Sequence, residues 1–251
     1  MSLKICSLAS GSKGNCIYIA SRRTSLLLDA GVCLTRIRGA LADIGEAMPK
    51  DVVLTHTHSD HYKYVGAAVK NGASLHYNRV MRRFVDDYEG SEEFGGDICI
   101  GDITVSPFAV SHDVPCCGYS FYSEGSKISV VTDLGFMPRP TLEAVADSDA
   151  VLIESNYDEE MLRTNPEYPE RLKARIAGMR GHLSNAQSAE CVAYLVGKGV
   201  KKIILGHLSE QNNTPEKASA CAMDALSSYN LRGAADIHVA LQHSRSEVIE
   251  V

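Results

Sequence analysis

The chain has 251 residues, 45% of them hydrophobic and 22% charged, with a formal net charge of −6 at pH 7. This is enough apolar material for one large core, so residues 1–251 read as a single α/β domain, and the acidic balance excludes indiscriminate coating of nucleic acid, which draws on clustered Lys and Arg. No basic-plus-apolar leader opens the sequence and no apolar run approaches bilayer length, so a cytoplasmic protein without membrane attachment is expected.

In chain order, residues 3–8, 16–20 and 24–29 read as strands, the first turn between them being the Gly-rich Ser10-Gly11-Ser12-Lys13-Gly14-Asn15. Residues 34–44 carry apolar positions at helical spacing, and residues 51–55 are a short β-branched run that reads as a buried strand. Residues 62–71 read as a helix, residues 97–132 as about four strands, and the chain then alternates. It gives a helix near 141–146, a strand at 150–154, helices through 176, a helix at 185–198, a strand at 202–206, a helix at 215–229 and two closing strands at 236–241 and 247–251. Strands in two groups, each followed by helices, predict a four-layer αββα sandwich with its site at one edge.

Between the strand ending at Thr55 and the following helix stands His56-Thr57-His58-Ser59-Asp60-His61, three imidazoles and a carboxylate in one turn. His56 and His58 face one way from an extended segment, while Asp60 and His61 enter the helix and point elsewhere, which predicts two adjacent metal ions. Imidazole with carboxylate suits zinc and also admits manganese. One motif cannot complete two coordination spheres, and further donors do stand at the ends of apolar runs: His112, Asp133 and His207.

This pattern of HxHxDH, a lone His, an Asp and a final His resembles the metallo-β-lactamase superfamily, and all seven positions are filled. The resemblance implies that His56, His58 and His112 hold one ion, that Asp60, His61 and His207 hold the second, and that Asp133 bridges them. A pair of ions about 4 Å apart bridges a water, lowers its pKa and stabilises charge on phosphoryl oxygens, with Asp60 orienting the resulting hydroxide. In the phosphodiesterase branches, including ribonuclease Z and the cyclic phosphodiesterase of phosphonate degradation, a further His beside the metals donates a proton. His182 in Gly181-His182-Leu183-Ser184 matches that position, and Gly206-His207-Leu208-Ser209 echoes it locally. An N-terminal capping or packing role is the alternative for His182.

More narrowly, Leu8 through Asn15, His112-Asp113 with Gly118-Tyr119, the stretch 156–185 and His207 through Asn213 are similar to the YycJ/WalJ family over nearly the whole chain. That resemblance implies a bacterial cytoplasmic 5′-to-3′ exonuclease acting on DNA. Val114-Pro115-Cys116-Cys117 departs from the family pattern beside the expected pocket wall. No insertion after Asp133 is long enough to form the β-CASP domain with which some relatives clamp RNA, so substrate must be held by loops.

Three loops are candidates: the Ser10–Asn15 turn, residues 209–213, and a basic stretch before His182. Between Met161 and His182, Arg163, Arg171, Lys173, Arg175 and Arg180 stand against Glu167 and Glu170, a local balance of +3. Arg79, Arg82 and Arg83 form a second cluster, of a kind that is commonly a solvated face. The eight cysteines show no CxxC spacing and fit free thiols in a reducing compartment, with Cys116 and Cys117 expected in the core or the pocket wall. His76, His238 and His243 lack a ligand context. Hydrolysis of a small cyclic phosphodiester, a thioester or a lactone uses the same donors, and a non-catalytic regulatory partner of a signalling system would lack some of them. Physiological metal, oligomeric state, end polarity and DNA against RNA stay open at this level.

Overall fold

The computed structural model describes residues 3–251. The N-terminal part builds β1 (Lys4–Ala9), β2 (Cys16–Ala20), β3 (Ser25–Leu28), β4 (Asp51–Leu54), β5 (Ser74–Asn78) and β6 (Glu92–Phe94). The remainder builds β7 (Ile98–Ile100), β8 (Ile103–Ala109), β9 (Cys117–Ser123), β10 (Ser126–Val131), β11 (Ala150–Glu154), β12 (Lys202–Gly206) and β13 (Asp236–Val239), and β14 (Ile249–Glu250) returns to β1. Two seven-stranded mixed sheets result, in the orders β14-β1-β2-β3-β4-β5-β6 and β13-β12-β11-β10-β9-β8-β7. The helices are α1 (Leu34–Ala42), α2 (Ser59–Tyr62), α3 (Val65–Lys70), α4 (Arg139–Val145), α5 (Glu159–Thr164), α6 (Glu170–Ile176), α7 (Asn185–Lys198) and α8 (Pro215–Ser228).

Strand alternation explains the layers. Ile128, Val130, Leu152 and Ile204 join the core between the sheets, whereas their neighbours Val131, Val151, Ile153, Ile203 and Leu205 pack under α7 and α8. A sheet buried on both faces needs continuous apolar runs, and residues 150–153 and 203–205 supply them. Leu152 is fully buried, so Leu152→Ala would cost about 2–5 kcal/mol. Outside the first sheet, α1 buries Ile37 and Leu41.

The strands β3, β4 and β5 run parallel, as do β10, β11, β12 and β13. In open α/β sheets ligands gather outside the carboxyl ends of such strands, and there the charged residues lie. A capping box between Ser184 and Gln187 starts α7, and Gly199 at φ 112° ends it. Such a cap contributes about 1 kcal/mol and fixes the chain direction at His182-Leu183.

Two expectations differ from the structure. Residues 62–71 are not one helix: α2 and α3 are separate because Ala30 intrudes with its backbone, donating to His61 O at 2.9 Å and accepting from Tyr64 N at 2.9 Å. Strands β5 and β6 are additions, and β6 is an edge strand of three residues with two of them exposed. Among the described residues no helix is long and apolar enough to cross a membrane.

Candidate metal centre

Three of the non-glycine residues that turn left-handed just past strand ends carry charged or imidazole side chains to the same edge: Asp29 (φ 64°) after β3, Asp133 (φ 61°) after β10 and His207 (φ 55°) after β12. This conformation costs a residue with a Cβ roughly 1–2 kcal/mol and is retained where the surroundings over-determine it. Here it turns each chain sharply at the strand end and brings all three side chains to one edge. The HxHxDH loop is fixed equally tightly. Asn15 N donates to Asp60 O at 2.7 Å and Gly31 N to Asn15 O at 2.8 Å. A Cβ on Gly31 would come within 1.6 Å of Asp60 O, so only glycine allows this approach.

The structure brings all seven expected donors together. Donor atoms of His56, His58 and His112 lie within 4.8 Å of one another, as do those of Asp60, His61 and His207. Asp133 falls within the same reach of His56 and His61, and separately of His207. His61 Nε2 is 3.4 Å from Asp60 Oδ2 and 3.2 Å from Asp133 Oδ2, and His207 Nε2 is 3.4 Å from Asp60 Oδ2 and from Asp133 Oδ1.

The outward nitrogens have other partners. His61 Nδ1 pairs with Asp29 Oδ2 at 2.6 Å, His56 Nδ1 meets Thr55 Oγ1 at 3.0 Å, and His207 Nδ1 pairs with Glu154 Oε1 at 2.8 Å. Thr55 is itself held by Asp29, which accepts from its N and its Oγ1. Holding Nδ1 in this way fixes the ring and leaves Nε2 as the donor, the usual arrangement around metal-ligating histidines.

Divalent metal fits this centre. His56 Nε2, His112 Nδ1 and Asp133 Oδ2 are buried without a hydrogen-bond partner, although Asp133 Oδ2 lies near His61 in poor bonding geometry. Buried polar atoms without partners are rare in native proteins. His112 Nε2 and His58 Nδ1 stand 3.1 Å apart, a separation that requires a proton or a cation between two ring nitrogens. Imidazole and carboxylate donors of this kind suit zinc, iron and manganese.

The metal-free electrostatics are extreme. Burial pushes Asp133 upward, but the imidazoles of His207 and His61 outweigh it and hold the carboxyl well below its ordinary range. Burial would lower His207, yet Asp133, Asp60 and Glu154 raise it to about 10. Burial raises Glu154, and His182 with His207 then brings it down to about 2.

His182 stands beside these groups. Its Nδ1 is 2.8 Å from Glu154 Oε1 and 3.9 Å from Asp133 Oδ1. Its ring stacks on His207 at 5.3 Å between centroids, and its side chain remains 22% exposed. Burial lowers its pKa, but Glu154 more than compensates, leaving it raised.

Several participants were not singled out from sequence. Asp29 and Glu154 each follow or end an apolar strand, the signal that marked His112, Asp133 and His207. Asn156 Nδ2 donates to His207 O at 2.8 Å. The Ser10–Asn15 turn reaches the centre: Ser10 Oγ accepts from His207 N at 2.7 Å, and Asn15 Nδ2 lies 2.8 Å from His61 Nε2 and 3.2 Å from Asp60 Oδ2.

The expected basic stretch is largely neutralised. Arg163 pairs with Glu160, Lys173 with Glu170 and Arg175 with Asp113, while Arg180 Nε donates to His112 O at 2.9 Å. Asp113 also lies 3.2 Å from His58 Nε2. Cys116 and Cys117 are buried. His76 is held between Asp51 and Glu92 across three strands, His238 pairs with Glu247, and His243 pairs with Glu210 at the surface.

The family profile described as Metallo-beta-lactamase superfamily matches residues 9–207. The exodeoxyribonuclease WalJ of Streptococcus pneumoniae is 36% identical over 247 residues, covering 92% of this chain and 91% of that protein. The exodeoxyribonuclease YycJ of Bacillus anthracis is 33% identical over 230 residues, covering 87% of each. Among solved structures, the metallo-beta-lactamase fold protein YhfI from Bacillus subtilis superposes with a TM-score of 0.74 at 14% identity, over 100% of both chains.

Proposed function

The chain belongs to the metallo-β-lactamase superfamily, and from that premise we propose that it is a metal-dependent phosphodiesterase, an exonuclease that degrades DNA from its 5′ end. In this reading His56, His58 and His112 hold one zinc or manganese ion, Asp60, His61 and His207 hold a second, and Asp133 is shared. When bound, such a pair lowers the pKa of water and offsets charge developing on a phosphoryl group.

The observation that carries the reading is the Glu154–His182 pair at 2.8 Å. Its carboxylate fixes Nδ1 and leaves Nε2, which has no partner among the described residues, free to give a proton to the departing ribose oxygen. A carbonyl substrate with a good leaving group makes no such demand. Asp60, whose side chain is 21% exposed, orients the attacking water. The names of the two relatives support DNA as the polymer.

Metal-free protein reloaded with zinc or manganese should release nucleotides from 5′-labelled single-stranded DNA, while a chromogenic lactam and a glutathione thioester are barely touched. Preference for either carbonyl substrate would overturn the assignment, and preference for RNA would revise the polymer.

A further inference from the structure

Beside the metal centre lies a hollow that the metal chemistry does not use. Between the end of β8 and the start of α4 lies an open hollow of about 300 Å³ lined by Phe108, Val110, Pro138, Pro140 and the backbone around Ser111 and Thr141. That is the small end of ligand-sized clefts, roughly 300–1,000 Å³, with room for one heterocycle and not for a duplex. A second hollow of similar size, between Lys4, Tyr18 and Arg23, opens at the opposite ends of the strands.

The walls are firm. A Cβ on Gly118 would strike the Phe108 ring at 2.2 Å, so the ring is seated on that glycine. Thr141 Oγ1 donates to Ala109 O at 2.9 Å and pins α4 to the strand. Ser111 adjoins His112 in sequence, its Oγ donates to Met179 O at 2.9 Å, and its carbonyl accepts from Gly135 N at 3.0 Å. The inner end of the hollow is thereby tied to the loops that carry Asp133 and His182. Both hydroxyls in the lining are engaged, which leaves aromatic and proline surface and little that could read a base edge.

At its rim Arg139, between the two lining prolines, pairs with Glu143 at 2.8 Å, and Arg180 is held against His112 O. A small apolar hollow with an aromatic wall, tied through Ser111 to the loops that carry Asp133 and His182, matches the apolar face of a nucleobase next to a phosphate held at the metal centre. Resting on the nuclease reading above, we propose that this hollow holds a nucleobase flanking the scissile phosphodiester, stacked against Phe108. Stacking of this kind tolerates every base because each has a π-face.

The test compares single-stranded oligonucleotides that are identical except for an abasic residue at one of the two nucleotides flanking the first scissile bond. Native protein should show a kcat/KM roughly 10-fold higher for the base-bearing strand at one of those positions. Phe108→Leu keeps an apolar side chain but removes the ring, and Pro140→Glu puts a charge at an exposed first-turn helix position where an acid is tolerated. In both, the base-bearing to abasic ratio should fall toward one, and a ratio within each variant is insensitive to the fraction folded. Equal rates on both strands with native protein would overturn the hollow and leave the nuclease reading intact. Discrimination that survives both substitutions would also overturn it. A native protein that cleaves no phosphodiester overturns both proposals.

Discussion

His182 and His207 lie ring on ring, 5.3 Å apart with their planes at 24°, and both direct Nδ1 to the same carboxylate oxygen of Glu154 at 2.8 Å. Only His207 also has its Nε2 between Asp60 and Asp133. The two imidazoles therefore share an anchor and differ in what their free nitrogens face.

Substitution should separate them. His182→Ala should retain its metals and lose about 10²–10⁴-fold in rate on DNA, the range for a positioned general acid, with a smaller loss on a p-nitrophenyl phosphodiester, whose leaving group needs no proton. His207→Ala should lose metal and activity on both substrates. Metal content by elemental analysis beside the two rates decides it; identical behaviour of the variants would refute the division of roles.

Glu154→Gln keeps the shape of the anchor but removes its charge. The fold should survive, the p-nitrophenyl substrate should be affected through metal affinity alone, and DNA cleavage should fall further because His182 loses its partner as well. Steady-state rates at saturating metal isolate the second effect, and a loss abolished by added metal on both substrates would argue against any role through His182.

Asp29 never reaches the donor cluster, yet it fixes His61 at 2.6 Å and Thr55 through two bonds. Asp29→Ala should weaken metal affinity by about 10–100-fold. Competition against a metal-responsive chelator dye measures this directly, and unchanged affinity would show that the pairing is incidental.

Metal loading should expel protons. In the metal-free protein His61 and His207 are both raised, His207 to about 10, so at pH 7 they carry protons that ligation must displace. Calorimetry at pH 7 in buffers of different ionisation enthalpy should report net proton release, diminishing as pH approaches 10. The stability sign follows: a raised His207 favours the metal-free fold below its ordinary value of 6.5, and that contribution is lost as pH rises through about 10. Urea midpoints of the metal-free form should fall across that window.

Gly31→Ala tests the close backbone approach to Asp60. The 1.6 Å encounter with a carbonyl cannot be relieved by a rotamer change, so a destabilisation of about 1–3 kcal/mol should accompany lost metal affinity. An unchanged thermal midpoint would mean that the loop yields freely.

That these candidate donors would cluster was legible because their residue types are chemically conspicuous and stand where apolar runs stop. Glu154 and Asp29 obey the same positional rule, but acids after strands are common, and nothing local distinguishes a buried anchor from a solvated turn residue. The α2–α3 break was not legible because its cause is the backbone of Ala30, more than thirty positions away. Residues 74–78 read poorly as a strand since His76 and Asn78 look polar, although both are buried, His76 by pairing with Asp51 and Glu92. The basic stretch before His182 misled through local counting: Asp113 lies far away in sequence, and Glu160 just outside the window counted.

Because its donors come from the ends of strands in both sheets, the centre exists only while the sheets are docked. Metal affinity then reports global folding: a lesion such as Leu152→Ala, deep between the layers and itself no donor, destabilises the ligand-competent state. Conversely, a bound ion stabilises the fold by an amount that grows with the logarithm of its free concentration. Cellular metal supply would thus govern how long the chain persists as well as how fast it works.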